Sequence, residues 1–257
     1  MGVMLMAGRF LSTGKFHIVN QWLKNSHEWF LPGSCVLCGR AGHSGRDLCA
    51  ACTSELPYLK TACLGCAIPL SQSGPQAGIC GQCQQQPHSF DSAWAAFDYQ
   101  SPVDHLIQSL KFNGKLYSAR LLGELMAERV VVAELDLPEL LLPVPLHASR
   151  LRQRGFNQAL ELARPLARKF GLPLKPGLCC RLRPTLAQTG LDARARRRNL
   201  KGVFEVAAMP GVNHVAIVDD VMTTGSTAEM LAKALKRAGV ARVDVWVCAR
   251  AALRGRA

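Results

Sequence analysis

Two textures of apolar spacing divide the chain. From residue 93 onward, short apolar runs alternate with helical spacings. Residues 93–99 form an apolar, strand-like run, and two helical patterns follow over 103–112 and 117–132. The second carries Leu121, Leu122, Leu125, Met126 and Val130. Residues 140–146 read as a buried strand interrupted by prolines, 156–170 as a helix, and 203–206 and 214–218 as short strands. An amphipathic helix over 227–238 and a last strand over 243–248 complete the series. Strands alternating with helices predict an α/β domain whose largely parallel sheet is covered on both faces. Such sheets bind ligands beyond the carboxyl ends of their strands.

Before residue 87 the texture differs. Apolar positions at Phe16, Val19, Trp22, Leu23, Trp29 and Phe30 predict one short helix within a loose amphipathic segment, 1–31. That start has neither a basic n-region nor a small-residue cleavage site. No apolar run approaches the roughly 18 residues of a membrane span, so membrane insertion is not expected. Residues 32–86 are rich in cysteine and glycine, and the polar stretch Gln84-Gln85-Gln86-Pro87 leads into the α/β pattern of 87–257. The chain shows no internal repeat beyond its cysteine pairs and no low-complexity segment.

Composition narrows the class. At 257 residues and 49% hydrophobic content the chain can bury a sizeable core, which excludes a disordered or collagen-like protein. Eight of its 11 cysteines form four Cys-x-x-Cys pairs: Cys35/Cys38, Cys49/Cys52, Cys63/Cys66 and Cys80/Cys83. A secreted disulfide scaffold is the alternative such a count raises, but without a secretory signal a reducing, cytoplasmic setting fits better. Each pair closes a tight turn that aims two thiolates at one ion, and two pairs complete a tetrahedron suited to zinc. Redox Cys-x-x-Cys motifs come singly in a βαβ setting, unlike these four in a row. Sequential pairing predicts one zinc on Cys35, Cys38, Cys49 and Cys52 and a second on Cys63, Cys66, Cys80 and Cys83. An interleaved cross-brace stands as the alternative. Gly39 follows Cys38, as a knuckle turn needs. The short module from Cys35 to Cys83 cannot fold on its own apolar burial. Bound zinc would supply on the order of 10 kcal/mol per site. His43 reads as a loop residue, and Cys179, Cys180 and Cys248 as small apolar core residues.

The sharpest motif is VAIVDDVMTTGST, 215–227. An apolar strand ends in the acidic pair Asp219 and Asp220. A hydroxyl-rich turn then opens a helix at Gly225. The N–H groups and partial positive charge of a helix start suit a phosphate. The hydroxyls of Thr223, Thr224, Ser226 and Thr227 add donors, while the carboxylates suit sugar hydroxyls or a hydrated Mg²⁺. Neither the nucleotide P-loop pattern nor a Gly-x-Gly-x-x-Gly fingerprint is present. A sugar 5-phosphate with vicinal hydroxyls fits the layout.

This segment resembles the 5-phosphoribosyl-1-pyrophosphate (PRPP) motif of type I phosphoribosyltransferases. Together with LPVPLHASRLRQRGFNQALELA (142–163), TLAQTGLDARARRRNLKGVF (185–204) and the cysteine module, it resembles the ComF/GntX family over nearly the whole chain from residue 31. The resemblance implies a double zinc ribbon followed by a type I phosphoribosyltransferase fold. That fold would have a pyrophosphate loop at 143–150 and a flexible hood at 183–201. It also implies a cytoplasmic bacterial protein linked to natural transformation or the use of external DNA.

Charge points to the same region. The chain has 31 Lys and Arg against 18 Asp and Glu, a net of +13. Residues 143–201 hold 14 of the basic residues, opposed by Glu161 and Asp192 alone. Arg150, Arg152, Arg154, Arg194, Arg197 and Arg198 are therefore candidate clamps for the PRPP phosphates, since Arg offers bidentate contacts. Asn157 and Asn199 read either as their orienting partners or as helix caps, and His147 as a structural residue rather than a base.

Two functional readings follow. In the first, the protein is a Mg²⁺-dependent phosphoribosyltransferase acting on an unnamed nitrogen acceptor, with Asp219 and Asp220 as catalytic residues. The chain has no glutamine-hydrolysing domain, which argues against ammonia channelling. In the second, it is a non-enzymatic PRPP-sensing or single-stranded-DNA-handling accessory of the DNA-uptake machinery. Residues 143–201 offer only Phe156 and Phe170 for base stacking.

Overall fold

A computed structural model describes residues 33–70, 78–183 and 202–251. The chain divides into two compact units, Met1–Glu55 and Leu56–Ala257. The expected helix within 16–31 and most of the expected hood, with Arg194, Arg197, Arg198 and Asn199, lie outside the described residues.

Within the first unit, Cys35 and Cys38 sit on a knuckle turn closed by the Gly39 amide, which donates to the Cys35 carbonyl at 2.8 Å. Gly39 adopts φ +76°, a left-handed conformation that most side chains resist. Cys49 and Cys52 flank the first turn of helix α1 (Ala50–Ser54), where the Cys49 thiol caps the helix by accepting from the Cys52 amide.

The second unit repeats this device and then builds the sheet. Cys63 and Cys66 form a knuckle closed by the Ala67 amide on the Cys63 carbonyl (2.7 Å). Ala67 holds the left-handed conformation at φ +55°, and its methyl group is fully buried. Cys80 and Cys83 flank the start of α2 (Gly81–Gln85).

Strand β1 (Ser92–Asp98) is followed by α3 (Val103–Asn113) and α4 (Leu116–Val132). Then come β2 (Leu140–Pro143), α5 (Ala148–Arg154) and α6 (Gln158–Phe170). An antiparallel pair, β3 (Cys179–Arg181) and β4 (Phe204–Val206), precedes β5 (His214–Met222), α7 (Ser226–Arg237) and β6 (Arg242–Arg250). The main sheet has the order β1-β6-β5-β2, and every pairing in it is parallel.

Alternation along the two central strands creates two apolar faces. Val215 and Ile217 of β5 and Val243, Val245 and Val247 of β6 join one core cluster with Leu231, Ala232 and Leu235 of α7. The intervening residues Ala216, Val218, Trp246 and Cys248 are also buried, on the opposite face. There α4 and α6 pack on each other and on the sheet, and their Leu122, Leu125, Leu162 and Leu166 are fully buried. A sheet covered on both faces explains why the strands read as continuous apolar runs.

Three expectations need correction. Strand β5 does not stop at Val218. It continues to Met222, so the acidic pair lies within the strand rather than beyond its tip, because β6 offers register partners as far as Arg250. The segment after β2 is no simple loop, since 148–154 are helical. Cys180 is exposed, with its thiol 3.7 Å from Glu205 Oε2, whereas Cys179 and Cys248 are buried.

Candidate functional site

The eight paired cysteines gather as two sets of four, Cys35/Cys38/Cys49/Cys52 and Cys63/Cys66/Cys80/Cys83. Within each set all sulfurs lie within 4.8 Å of one another, and none is in a disulfide. Between pairs, the Cys38–Cys49 and Cys66–Cys80 sulfurs are both 3.7 Å apart. A tetrahedron with Zn–S bonds of about 2.3 Å has edges of about 3.8 Å, so the donor sets fit zinc. Backbone amides reinforce the fit. Burial pushes the Cys35 thiol up, but the amides of Cys49, Cys38 and Leu37 outweigh it and bring the thiol down to about 6. Cys63 is likewise lowered to about 7, against burial, by the amides of Cys80, Gly65 and Cys66. The thiols of Cys49 and Cys38, with burial, push the Cys52 thiol up, and burial followed by the thiols of Cys66 and Cys80 pushes the Cys83 thiol up.

The hydroxyl-rich turn stands at the carboxyl end of β5, a central strand of the sheet. Gly225 caps α7 from φ +76°, where any side chain would be strained, and offers no side chain to bond the first amides. This helix start borders an open pocket of about 50 Å³ lined by Asp219 and residues 221–228, with Val245 and Val247 behind. Thr224 Oγ1 and Ser226 Oγ lie 2.6 Å apart, and Thr223 and Thr224 are exposed. The segment thus brings together Asp219, Thr223, Thr224, Gly225, Ser226 and Thr227 around one opening.

The two carboxylates differ. Asp219 Oδ1 accepts from the Asp220 amide at 2.9 Å, and Asp220 Oδ1 from the Val221 amide at 2.7 Å. Desolvation, then the charge of Asp220, pushes the Asp219 carboxyl up to about 8. Asp220 is buried and ion-paired, with Lys111 Nζ 2.7 Å from its Oδ2. Lys111, near the end of α3, was invisible as a site residue in the sequence, because it lies 109 positions from its partner and outside the basic segment.

Arg150 does not line the hydroxyl-rich pocket. It belongs to a neighbouring cleft of about 480 Å³ with Lys111, Phe112, Gln153, Arg154 and Phe156. Phe112 is 75% exposed there, with the Arg154 guanidinium 5.8 Å from its ring centre. Arg181 stacks over Phe204 and sits within electrostatic reach of both Arg150 and Asp219. Arg152 is exposed on α5. His147 caps α5, its Nδ1 accepting from the Ser149 amide, and Asn157 caps α6 while bonding the Val144 carbonyl at 3.0 Å. Both side chains are thus engaged as helix caps. Among the described residues, no helix is long and apolar enough to cross a membrane.

The family model described as "Double zinc ribbon domain" matches residues 26–84. The "DNA utilization protein YhgH" of Escherichia coli O157:H7 is 37% identical over 227 residues, covering 86% of this chain and 98% of the relative. "Competence protein F" of Haemophilus influenzae is 36% identical over 228 residues, covering 84% and 96%. Among solved structures, the purine phosphoribosyltransferase of Pyrococcus horikoshii is similar at 15% identity, over 55% of this chain and 90% of that one, with a TM-score of 0.31. The relatives align over nearly their whole length, across the zinc ribbon and the parallel α/β domain together, and on that ground the chain belongs to the ComF/GntX family.

Proposed function

We propose that the protein binds PRPP, or a related ribose 5-phosphate, at Thr223–Thr227 and that this site serves the use of external DNA. The observation that carries the reading is the Gly225-capped start of α7, which borders an open pocket lined by Asp219 and by Thr223, Thr224, Ser226 and Thr227. A 5-phosphate suits those donors, and ribose hydroxyls suit the acidic pair. Asp219 and Asp220 are hard oxygen donors that would also hold Mg²⁺, which supplies neutralising charge for a diphosphate. Arg181 and Arg150, with Arg194, Arg197 and Arg198 of the expected hood, provide guanidinium groups for the same phosphates. In a transfer reaction the C1–O bond to diphosphate breaks, a C1–N bond to the acceptor forms, and the acceptor's proton passes to solvent. The chain's part is to hold the ribose and neutralise the leaving oxygens. The relatives' names support a role in DNA utilisation or competence.

Calorimetry with PRPP and Mg²⁺ tests the site. Saturable heat that disappears in the double variant Asp219→Asn, Asp220→Asn is the expected result, and the absence of binding by the wild type would refute the reading. Diphosphate release with a panel of nitrogen acceptors then separates a transferase from a sensor.

The cleft beside the site favours a second ligand, single-stranded DNA. Residues 143–201 alone are short of aromatic side chains, but the fold sets Phe112 against Arg154 and Phe156. The exposed Phe112 ring among guanidinium groups suits a stacked base and its phosphates. Salt-sensitive binding of a labelled oligonucleotide, weakened by Phe112→Ala or by neutralising Arg194, Arg197 and Arg198, is expected. Unchanged affinity in both variants would exclude it.

A further inference from the structure

The last residue of β6, Arg250, is only 3% exposed, although it carries a permanent charge. Burying a guanidinium is costly unless its N–H groups are satisfied. Here they reach backbone carbonyls rather than a carboxylate. Nε donates to the Cys66 carbonyl at 2.8 Å, and Nη1 to the carbonyls of Met222 (2.9 Å), Thr223 and Ala251 (2.7 Å). One side chain thus joins the second cysteine knuckle to the turn that enters the hydroxyl-rich loop.

The geometry at each end gives the link a purpose. The peptide bond is trans, so a carbonyl and the following N–H point in opposite directions. Holding the Met222 and Thr223 carbonyls on Arg250 therefore turns the amides of Thr223 and Thr224 away from it. Both residues line the pocket in front of α7. At the other end, the Cys66 carbonyl is aimed by the knuckle itself, closed through the Cys66 and Ala67 amides on the Cys63 carbonyl. The knuckle is further tied to the sheet by the Ala93 amide on the Leu64 carbonyl at 2.9 Å. A tetrahedral ion shared by Cys63, Cys66, Cys80 and Cys83 keeps that turn closed.

We propose that Arg250 is a positioning residue that couples the second four-cysteine site to the hydroxyl-rich loop. While the knuckle is closed, Arg250 holds the loop's amides toward the pocket. When the knuckle opens, the loop loses that order. Linkage makes the effect mutual, so an anion held in the loop strengthens retention of the second metal ion. Only this reciprocal arm rests on the PRPP reading. The coupling within the protein does not.

Amide hydrogen exchange on the full-length, zinc-loaded protein tests the coupling. Emptying the second site with Cys80→Ser should speed exchange at residues 222–226 by about 5- to 150-fold, the usual range of such couplings. Exchange at residues 215–218 of β5 should stay at the wild-type rate. Arg250→Met should give the same rise at 222–226 while metal analysis still returns zinc. If either variant also loses protection in β5, the wild type at graded zinc occupancy under a chelator gives the reading. Wild-type loop exchange in Arg250→Met, no response to chelation, or an equal rise in Cys38→Ser at the first site would each overturn the proposal. In the reciprocal arm, PRPP with Mg²⁺ should slow transfer of zinc to a chromogenic chelator, and Arg250→Met should abolish the slowing. A loop that responds to zinc while zinc release ignores PRPP would refute the ligand and uphold the coupling.

Discussion

Replacing Lys111 by methionine removes the ammonium group that lies 2.7 Å from Asp220 while keeping most of the side chain's apolar stem. The side chains of Lys111 and Asp220 are 20% and 6% exposed, so the pair is largely, but not wholly, withdrawn from water. Breaking a fully buried pair by deleting one partner costs about 3–5 kcal/mol. Partial exposure of Lys111 lowers the expected loss to about 2–3 kcal/mol, or roughly 5–10 °C in Tm for a unit of this size.

The loss has a definite pH dependence. Asp219 is already pushed up to about 8 by desolvation and by Asp220, with Lys111 working against the rise. Without Lys111 the Asp219 carboxyl titrates higher still. A carboxyl whose folded-state pKa is raised carries no penalty below its unfolded pKa, and the penalty grows as pH climbs toward the folded value. The gap in Tm between wild type and Lys111→Met should therefore be small near pH 5 and widen toward pH 8. Thermal unfolding followed by circular dichroism at fixed ionic strength and zinc concentration measures it. A gap that is the same at every pH would show that the stem, not the charge, matters and would refute the reasoning. A gap that narrows with rising pH would reverse its sign.

Asp219→Asn should do the opposite, raising Tm near pH 8 by removing the charge that crowds Asp220, while abolishing the calorimetric response to PRPP. Gly225→Ala, forced into φ +76°, should cost about 1–2 kcal/mol in denaturant unfolding and weaken PRPP binding at least tenfold. Metal analysis of the purified chain should return two zinc ions, falling to one in Cys49→Ser, and a full complement in that variant would refute the four-cysteine grouping. Phe112→Ala, at an exposed position, should leave Tm unchanged yet weaken single-stranded DNA binding by about 1–3 kcal/mol in a fluorescence titration.

Elements with a periodic apolar face were legible in the sequence. Helix α3 buries Val103, Leu106, Ile107 and Leu110, and its expected bounds differ from the observed ones by one residue. Helix α5 buries no residue at all, so its Arg-rich sequence carried no apolar stripe to announce it. The far end of β5 was hidden because adjacent carboxylates look like a strand's end, and only pairing with β6 keeps them in the ladder. The hydroxyl-rich loop was legible because its donors are consecutive. Lys111, Phe112, Arg181 and Arg250 were not, since their roles depend on partners that only folding brings near. Cysteine spacing named two metal sites, but not the depth at which the second is embedded.

That depth has a consequence for dissecting the protein. Ala67, inside the second ribbon half, belongs to the same hydrophobic cluster as Val245 and Val247 of the sheet. Starting a shortened chain after Cys83, where the cysteine pattern ends, would strip this methyl group from the core and deprive Arg250 of an acceptor. A start near Leu56, where the larger compact unit begins, would keep both. The α/β unit thus keeps a four-cysteine site of its own, so chelating zinc should lower its stability even after the first unit has been cut away.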